Sequence, residues 1–103
     1  MAQLRMTYAT AMVLQALDAG YSHGFDIIDA TGLRSGTVYP VLRRLEQLGL
    51  VRSRWEAVTV ARSSSRPPRK YYRLARAAES HLQTARERYP LLPAAQPLTE
   101  KGR

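Results

Sequence analysis

Apolar side chains in the first segment, Arg5 to Ala19, recur at Tyr8, Met12 and Leu17, with Val13, Leu14 and Ala16 filling in, and the run closes at Gly20. This spacing predicts one amphipathic helix. Ser22 is placed to cap a second, short helix over 22–30, with Phe25, Ile27 and Ile28 as its buried residues and Gly32 just beyond its end. After a short connection, Ser35 is placed to cap a third helix from Gly36 to Leu48, which ends at Gly49 in the left-handed position that favours glycine. Two helices joined by a tight turn containing glycine form a helix-turn-helix pattern.

Beyond Gly49 the period shortens. Leu50 to Glu56 alternates, with Val51, Ser53 and Trp55 on one face and Arg52, Arg54 and Glu56 on the other, so a strand with one charged face is expected, continued through Val58 to Val60. Ala61 to Arg69 reads as a turn-forming basic loop and Lys70 to Leu74 as the returning strand, together a basic-tipped β-hairpin. Ala75 to Tyr89 is rich in helix formers, and its apolar positions Ala78, Leu82, Ala85 and Tyr89 repeat by four, three and four. That narrow stripe suits packing against one other helix. Pro90 stops the pattern, and 90–103 lacks periodicity and reads as a mobile tail.

At about 100° per residue, Val38, Val41, Leu42, Leu45 and Leu48 of the third helix share one arc, while Gly36, Tyr39, Pro40, Arg43 and Gln47 share the other. The first set is core and the second faces out. Pro40 gives up the backbone bond to Gly36, which loosens the first turn. An outward face bearing Tyr39 and Arg43, flanked by Thr37 and Arg44, fits a helix laid in the major groove, where arginine grips guanine and hydroxyls reach phosphates. Taken singly, Arg43 and Arg44 are a solvated helix face and Tyr39 a scattered surface aromatic. The turn before them and the basic hairpin after them shift the balance towards DNA.

Composition sharpens this picture. The 103 residues carry a formal net charge of +8, an excess that favours polyanionic partners: DNA, RNA or anionic membrane. Arg62, Arg66, Arg69, Lys70, Arg73 and Arg76 crowd the hairpin loop and its flanks, with no acidic residue between Ala57 and Ala78. Such a cluster repels itself unless an anion relieves it; as a free loop, Ser63 to Ser65 would be disordered and would order on binding. Without cysteine there are no disulfides, thiolate metal sites or Cys nucleophile, and the cytoplasm is the expected compartment. Ala9 to Leu17 is too short to span a bilayer, and Gln15 and Asp18 spoil it as a signal-peptide core, so no membrane association is expected.

His23 and His81 lack companions at metal spacing, and no nucleophile, base and acid share a recognisable context, so neither metal, cofactor nor enzyme activity is expected. Trp55 reads as a core or interface anchor for the sheet. A binder of RNA or single strands would use several exposed aromatics for stacking, and only Tyr71 stands on an outward strand face. A protein-interaction adaptor would not need the hairpin charge. A duplex-DNA regulator is the favoured reading over both.

The residues resemble those of the PadR-like transcriptional regulators. The resemblance rests on Tyr21 to Ile28, on Leu33 to Val51 with its Ser-Gly-Thr-Val-Tyr-Pro helix start, on Trp55-Glu56, and on Arg66-Pro-Pro-Arg-Lys-Tyr-Tyr-Arg-Leu74. It implies a mainly α winged helix-turn-helix with a small β-hairpin, the third helix in the major groove and the wing along the backbone or minor groove. By position, Ser35, Gly36, Thr37 and Tyr39 correspond to recognition-helix contacts, Arg66, Arg69 and Lys70 to wing contacts, and His23 and Gly24 to the start of the second helix near the DNA backbone. The implied organisation is a DNA-binding unit over 1–74 and a dimerisation helix over 75–89, joining protomers through Ala78, Leu82, Ala85 and Tyr89. The expected function is a homodimeric repressor on a palindromic double-stranded operator, with a small-molecule effector left unidentified. Two departures stand out: Ser65 precedes Arg66 where the family has Gly-Arg-Pro-Arg, and Ala75-Arg-Ala-Ala78 replaces Thr-Glu-x-Gly, as in compact members with a short C-terminal helix.

Overall fold

Thr7 sets where the chain becomes helical: its backbone is extended and its hydroxyl accepts the Thr10 N–H at 3.1 Å, satisfying a donor that the first turn leaves without an intrahelical partner. In the computed structural model, which describes residues 3–91, helix α1 therefore spans Tyr8–Asp18, starting at the first apolar position of the pattern and three residues after the expected segment opens at Arg5. The expected tail beyond Leu91 lies outside the described residues.

Every residue from Thr10 to Leu17 is buried, so α1 is a central helix covered on all sides and not an amphipathic surface helix. Gln15 makes that burial possible. Its Nε2 donates to the Ala11 carbonyl of its own helix at 3.1 Å and to the Tyr89 carbonyl at 2.7 Å, while its Oε1 accepts the Leu91 N–H at 2.9 Å. The polar group is thereby satisfied inside the core.

Helix α2, Gly24–Thr31, begins after His23, which occupies the cap position without a side-chain bond. Ser22 does not cap it, because its carbonyl accepts the Tyr72 N–H at 2.7 Å and the next residue, His23, bridges to Tyr71. Ile27 is fully buried and Ile28 half-buried, but Phe25, expected in the core, is 71 % exposed. Helix α3 spans Ser35–Gln47 and continues through Pro40; Ser35 is its first helical residue, and Arg34 takes the cap position that the sequence assigned to Ser35. Val38, Leu42 and Leu45 are buried, and Val41 and Leu48 half-buried, as the wheel requires. Gly32 and Gly49 both close their helices at positive φ, +74° and +75°.

Strands β1, Val51–Trp55, and β2, Lys70–Leu74, pair antiparallel, with Val51 opposite Leu74 and Trp55 opposite Lys70. The expected continuation of the strand through Val58 to Val60 is instead a short helix, α4, Val58–Ser63. The last strand-like bond runs from Glu56 N–H to the Arg69 carbonyl at 2.7 Å, and the intervening chain must satisfy its own backbone groups. The helical turn does so, buries Ala61, and returns through Ser64 and Ser65, the latter at φ +55°. The segment Ser63 to Ser65 is thus a defined turn and not an open loop.

A 3₁₀ turn, Arg76–Ala78, leads into α5, Glu79–Arg88, which packs along α1. This corrects the expected dimer seam. Ala78, Leu82 and Ala85 are buried in the same core as α1, and Tyr89 packs at its edge with its ring 5.8 Å from that of Tyr8. Arg86 and Asp18, 2.7 Å apart, close the outer side of the α1–α5 pair. The stripe repeating by four, three and four is covered by the chain's own first helix.

Candidate nucleic-acid interface

The first two and a half turns of α3 present Ser35, Gly36, Tyr39 and Arg43 to solvent, with Thr37 half-buried beside them. The period of the helix makes this face inevitable once Val38, Leu42 and Leu45 are committed to the core. Tyr39 is 38 % exposed, and its phenol lies directly over Gly24, where a Cβ would collide with the ring. Glycine at the start of α2 is therefore what allows α2 and the outward face of α3 to approach. His23 sits beside this contact with its Nε2 3.1 Å from Asp26 and its ring 5.8 Å from that of Tyr71. It is mostly covered, and it joins α2 to the hairpin.

On α3, Glu46 faces the hairpin, where its carboxylate accepts from the Ser53 hydroxyl and lies 3.6 Å from the Lys70 ammonium. Lys70 also stands 5.7 Å from the Trp55 ring centroid and 5.6 Å from that of Tyr72. Trp55 is 65 % exposed, so it does not anchor the core.

The wing is organised by a residue that sequence reasoning placed only on a charged strand face. The Glu56 side chain is 7 % exposed and accepts both Arg66 guanidinium nitrogens, at 2.5 and 2.8 Å, together with the Arg69 backbone N–H at 3.2 Å and the Tyr71 hydroxyl at 3.4 Å. Arg66, expected as a free wing contact, is therefore held inward as a structural cation. A visible signal existed: Glu56 is the single carboxylate bordering a stretch that has none before Glu79. Arg69 is half-buried, and among the described residues neither its side chain nor that of Arg43 is ion-paired.

Hydrogen bonding from Arg66 pulls the Glu56 carboxyl down to about 2, against a partial opposing effect of burial, with the Arg69 N–H helping. A carboxyl whose folded value lies below its unfolded value of about 4.3 stabilises the fold fully above that value and loses the contribution as pH falls towards 2. In a carbon-detected NMR titration, the Glu56 carboxyl is expected to inflect near 2 and, in Arg66→Ala, to move up towards the ordinary range. An unshifted midpoint in that variant would remove Arg66 as the cause.

Tyr39 of α3, Phe25 of α2, and Arg69 and Lys70 of the wing line a common cleft, so helix and wing share one surface. Among the described residues no group of three metal-ligating side chains comes together, and no helix is long and apolar enough to cross a membrane.

Residues 13–84 match the family model of the transcriptional regulator PadR-like family. Among solved structures, a PadR family transcription regulator from hypervirulent Clostridium difficile R20291 is 24% identical, with 79% of this chain and 85% of that chain covered at a TM-score of 0.66. A PadR-like transcription factor from Bacteroides fragilis is 29% identical, with 76% of each chain covered at a TM-score of 0.63. BpsR of Bordetella bronchiseptica, whose DNA binding is regulated by 6-hydroxynicotinic acid, is similar in fold at 20% identity, covering 92% of this chain and 74% of that chain at a TM-score of 0.61. No curated protein matches the chain.

Proposed function

Because the chain belongs to the PadR-like family of transcriptional regulators, we propose that it is a sequence-specific duplex-DNA-binding repressor that acts in the cytoplasm as a homodimer on a palindromic operator. One observation carries the reading: the outward Tyr39 of the third helix and the wing cations Arg69 and Lys70 share a cleft, as a protein gripping one duplex with helix and wing requires. In this reading Ser35, Gly36, Thr37, Tyr39 and Arg43 enter the major groove. Arg69 takes the backbone beside the wing, and His23 with Gly24 sets the backbone end of α2. Arg66 contributes through Glu56, by holding the wing in position. The dimer contacts come from surfaces other than Ala78, Leu82 and Ala85, which the intrachain core has consumed.

Selection of bound fragments from random duplex DNA tests this directly. A palindromic motif is the expected product, and failure to enrich any sequence would sink the sequence-specific reading. On the selected site, Arg43→Ala should cost about 1–3 kcal/mol and relax the preference at one position. Arg69→Ala should weaken selected and random duplexes alike and lower the magnitude of the salt slope by about 1. Equal losses on both duplexes for Arg43→Ala would make Arg43 a backbone contact.

A further inference from the structure

The open cleft between the start of α2, Tyr39 of α3 and the root of the wing has a volume of about 470 Å³. Its walls are largely rings, including Phe25, Tyr39, Trp55 and Pro67; Arg66, Arg69 and Lys70 supply charge, Arg66 being held by Glu56 and Lys70 standing 3.6 Å from Glu46, and no lining side chain is acidic. Phe25 and Trp55 are 71 % and 65 % exposed, so the fold gains little from their large apolar faces. Grouped exposed aromatics of this kind mark a surface that something else covers. Lys70 stands over the Trp55 ring, which places a cation against an apolar wall.

The occupant must be anionic and must also offer apolar faces at short intervals. The sugar–phosphate backbone of DNA has this alternation, with deoxyribose rings between phosphates. The location agrees, since a strand gripped by both the outward face of α3 and the wing has to cross the interval between them. We infer that this cleft receives the backbone of one DNA strand, with Phe25 and Trp55 packed against deoxyribose rings and Arg69 and Lys70 on the neighbouring phosphates. The assignment rests on the duplex-DNA reading above and adds two contacts that carry no base information.

Trp55 is the single tryptophan of the chain and reports on its own site. A labelled random-sequence duplex suffices as the probe, because sugar contacts are independent of sequence. As it is titrated into the wild-type protein, Trp55 emission should change, and its quenching by acrylamide should fall, in step with duplex binding followed by anisotropy. Trp55→Ala and Phe25→Ala should each weaken binding about five- to thirtyfold, the range for covering part of an aromatic face, on random and selected duplexes alike. Trp55→Phe should retain most of the affinity. Both side chains are exposed, so the variants should keep the wild-type melting curve.

Duplex binding that leaves Trp55 quenching unchanged, with Trp55→Ala binding as tightly as wild type, would overturn the assignment while leaving the DNA reading intact. Shielding of Trp55 that follows protein concentration and ignores DNA would overturn it in favour of a self-association surface. Absence of any duplex binding by the wild-type protein would instead reject the DNA reading itself.

Discussion

Leu82→Asp is expected to leave the protein largely unfolded at room temperature. Leu82 is 2 % exposed in the seam where α5 lies along α1. Losing a buried leucine side chain costs about 2–5 kcal/mol, and an unpaired carboxylate in its place adds several more unless it takes up a proton. Against a total of about 5–15 kcal/mol for a domain, this is most or all of the margin. Leu82→Ala removes the packing without adding charge and should lower the melting temperature by about 8 °C or more. Circular dichroism melts with sedimentation velocity distinguish this from a role between protomers. A folded Leu82→Asp that melts like wild type but sediments as a smaller species would put Leu82 on a dimer seam and would contradict its burial against α1.

Gly24→Ala should impair operator binding while scarcely changing stability. A methyl at this position collides with the outer end of the Tyr39 phenol, and that ring, 38 % exposed, has room to swing into solvent. Helix propensity in the first turn of α2 improves or stays level, so the fold loses little. The loss falls on the recognition surface, because the phenol is moved from the place where the two helices hold it. If the Tyr39 hydroxyl donates to a phosphate, Tyr39→Phe should weaken operator binding by about 1.5–3 kcal/mol, and Gly24→Ala by a similar amount. Tyr39→Ala should cost less stability than the about 3–5 kcal/mol of a fully buried aromatic. Thermal melts and operator titrations on the three variants decide the matter. Unimpaired binding by folded Gly24→Ala and Tyr39→Phe would return Tyr39 to a purely structural role.

The outward face of α3 was legible because three buried positions, Val38, Leu42 and Leu45, fix the rotation of a helix and leave Tyr39 and Arg43 no other side. The paired strands were legible to within a residue, since alternation and the glycine after α3 both mark the change of period. The stripe on α5 was legible as a stripe. Its width says that another helix covers it, but nothing in the spacing says whether that helix belongs to the same chain.

Other features were not legible for different physical reasons. Val58-Thr-Val60 has β-branched side chains and looks like strand, yet the backbone bonds needed to close the wing outweighed that propensity. Phe25 satisfies the hydrophobic pattern of a core residue but stands exposed on the rim of the cleft between α2, α3 and the wing, a placement that the period of a short helix does not encode. Ser22 and Ser35 are good caps by chemistry, and tertiary pairing with β2 took the first while the helix began a residue early at the second. Glu56 stands out in the sequence as the carboxylate bordering a basic stretch, but which arginine folds back onto it, across ten residues, is encoded in no local pattern.

The bonds of Gln15 tie residues 74 and 76 positions apart along the chain. Closing so long a loop is an entropic cost that must be met before the contacts at its ends return anything. During synthesis the consequence is one of timing. Helix α1 leaves the ribosome ahead of the other described helices, yet the side that α5 covers has no shelter until nearly the last described residue has been made, so the earliest of these helices is the last to be enclosed.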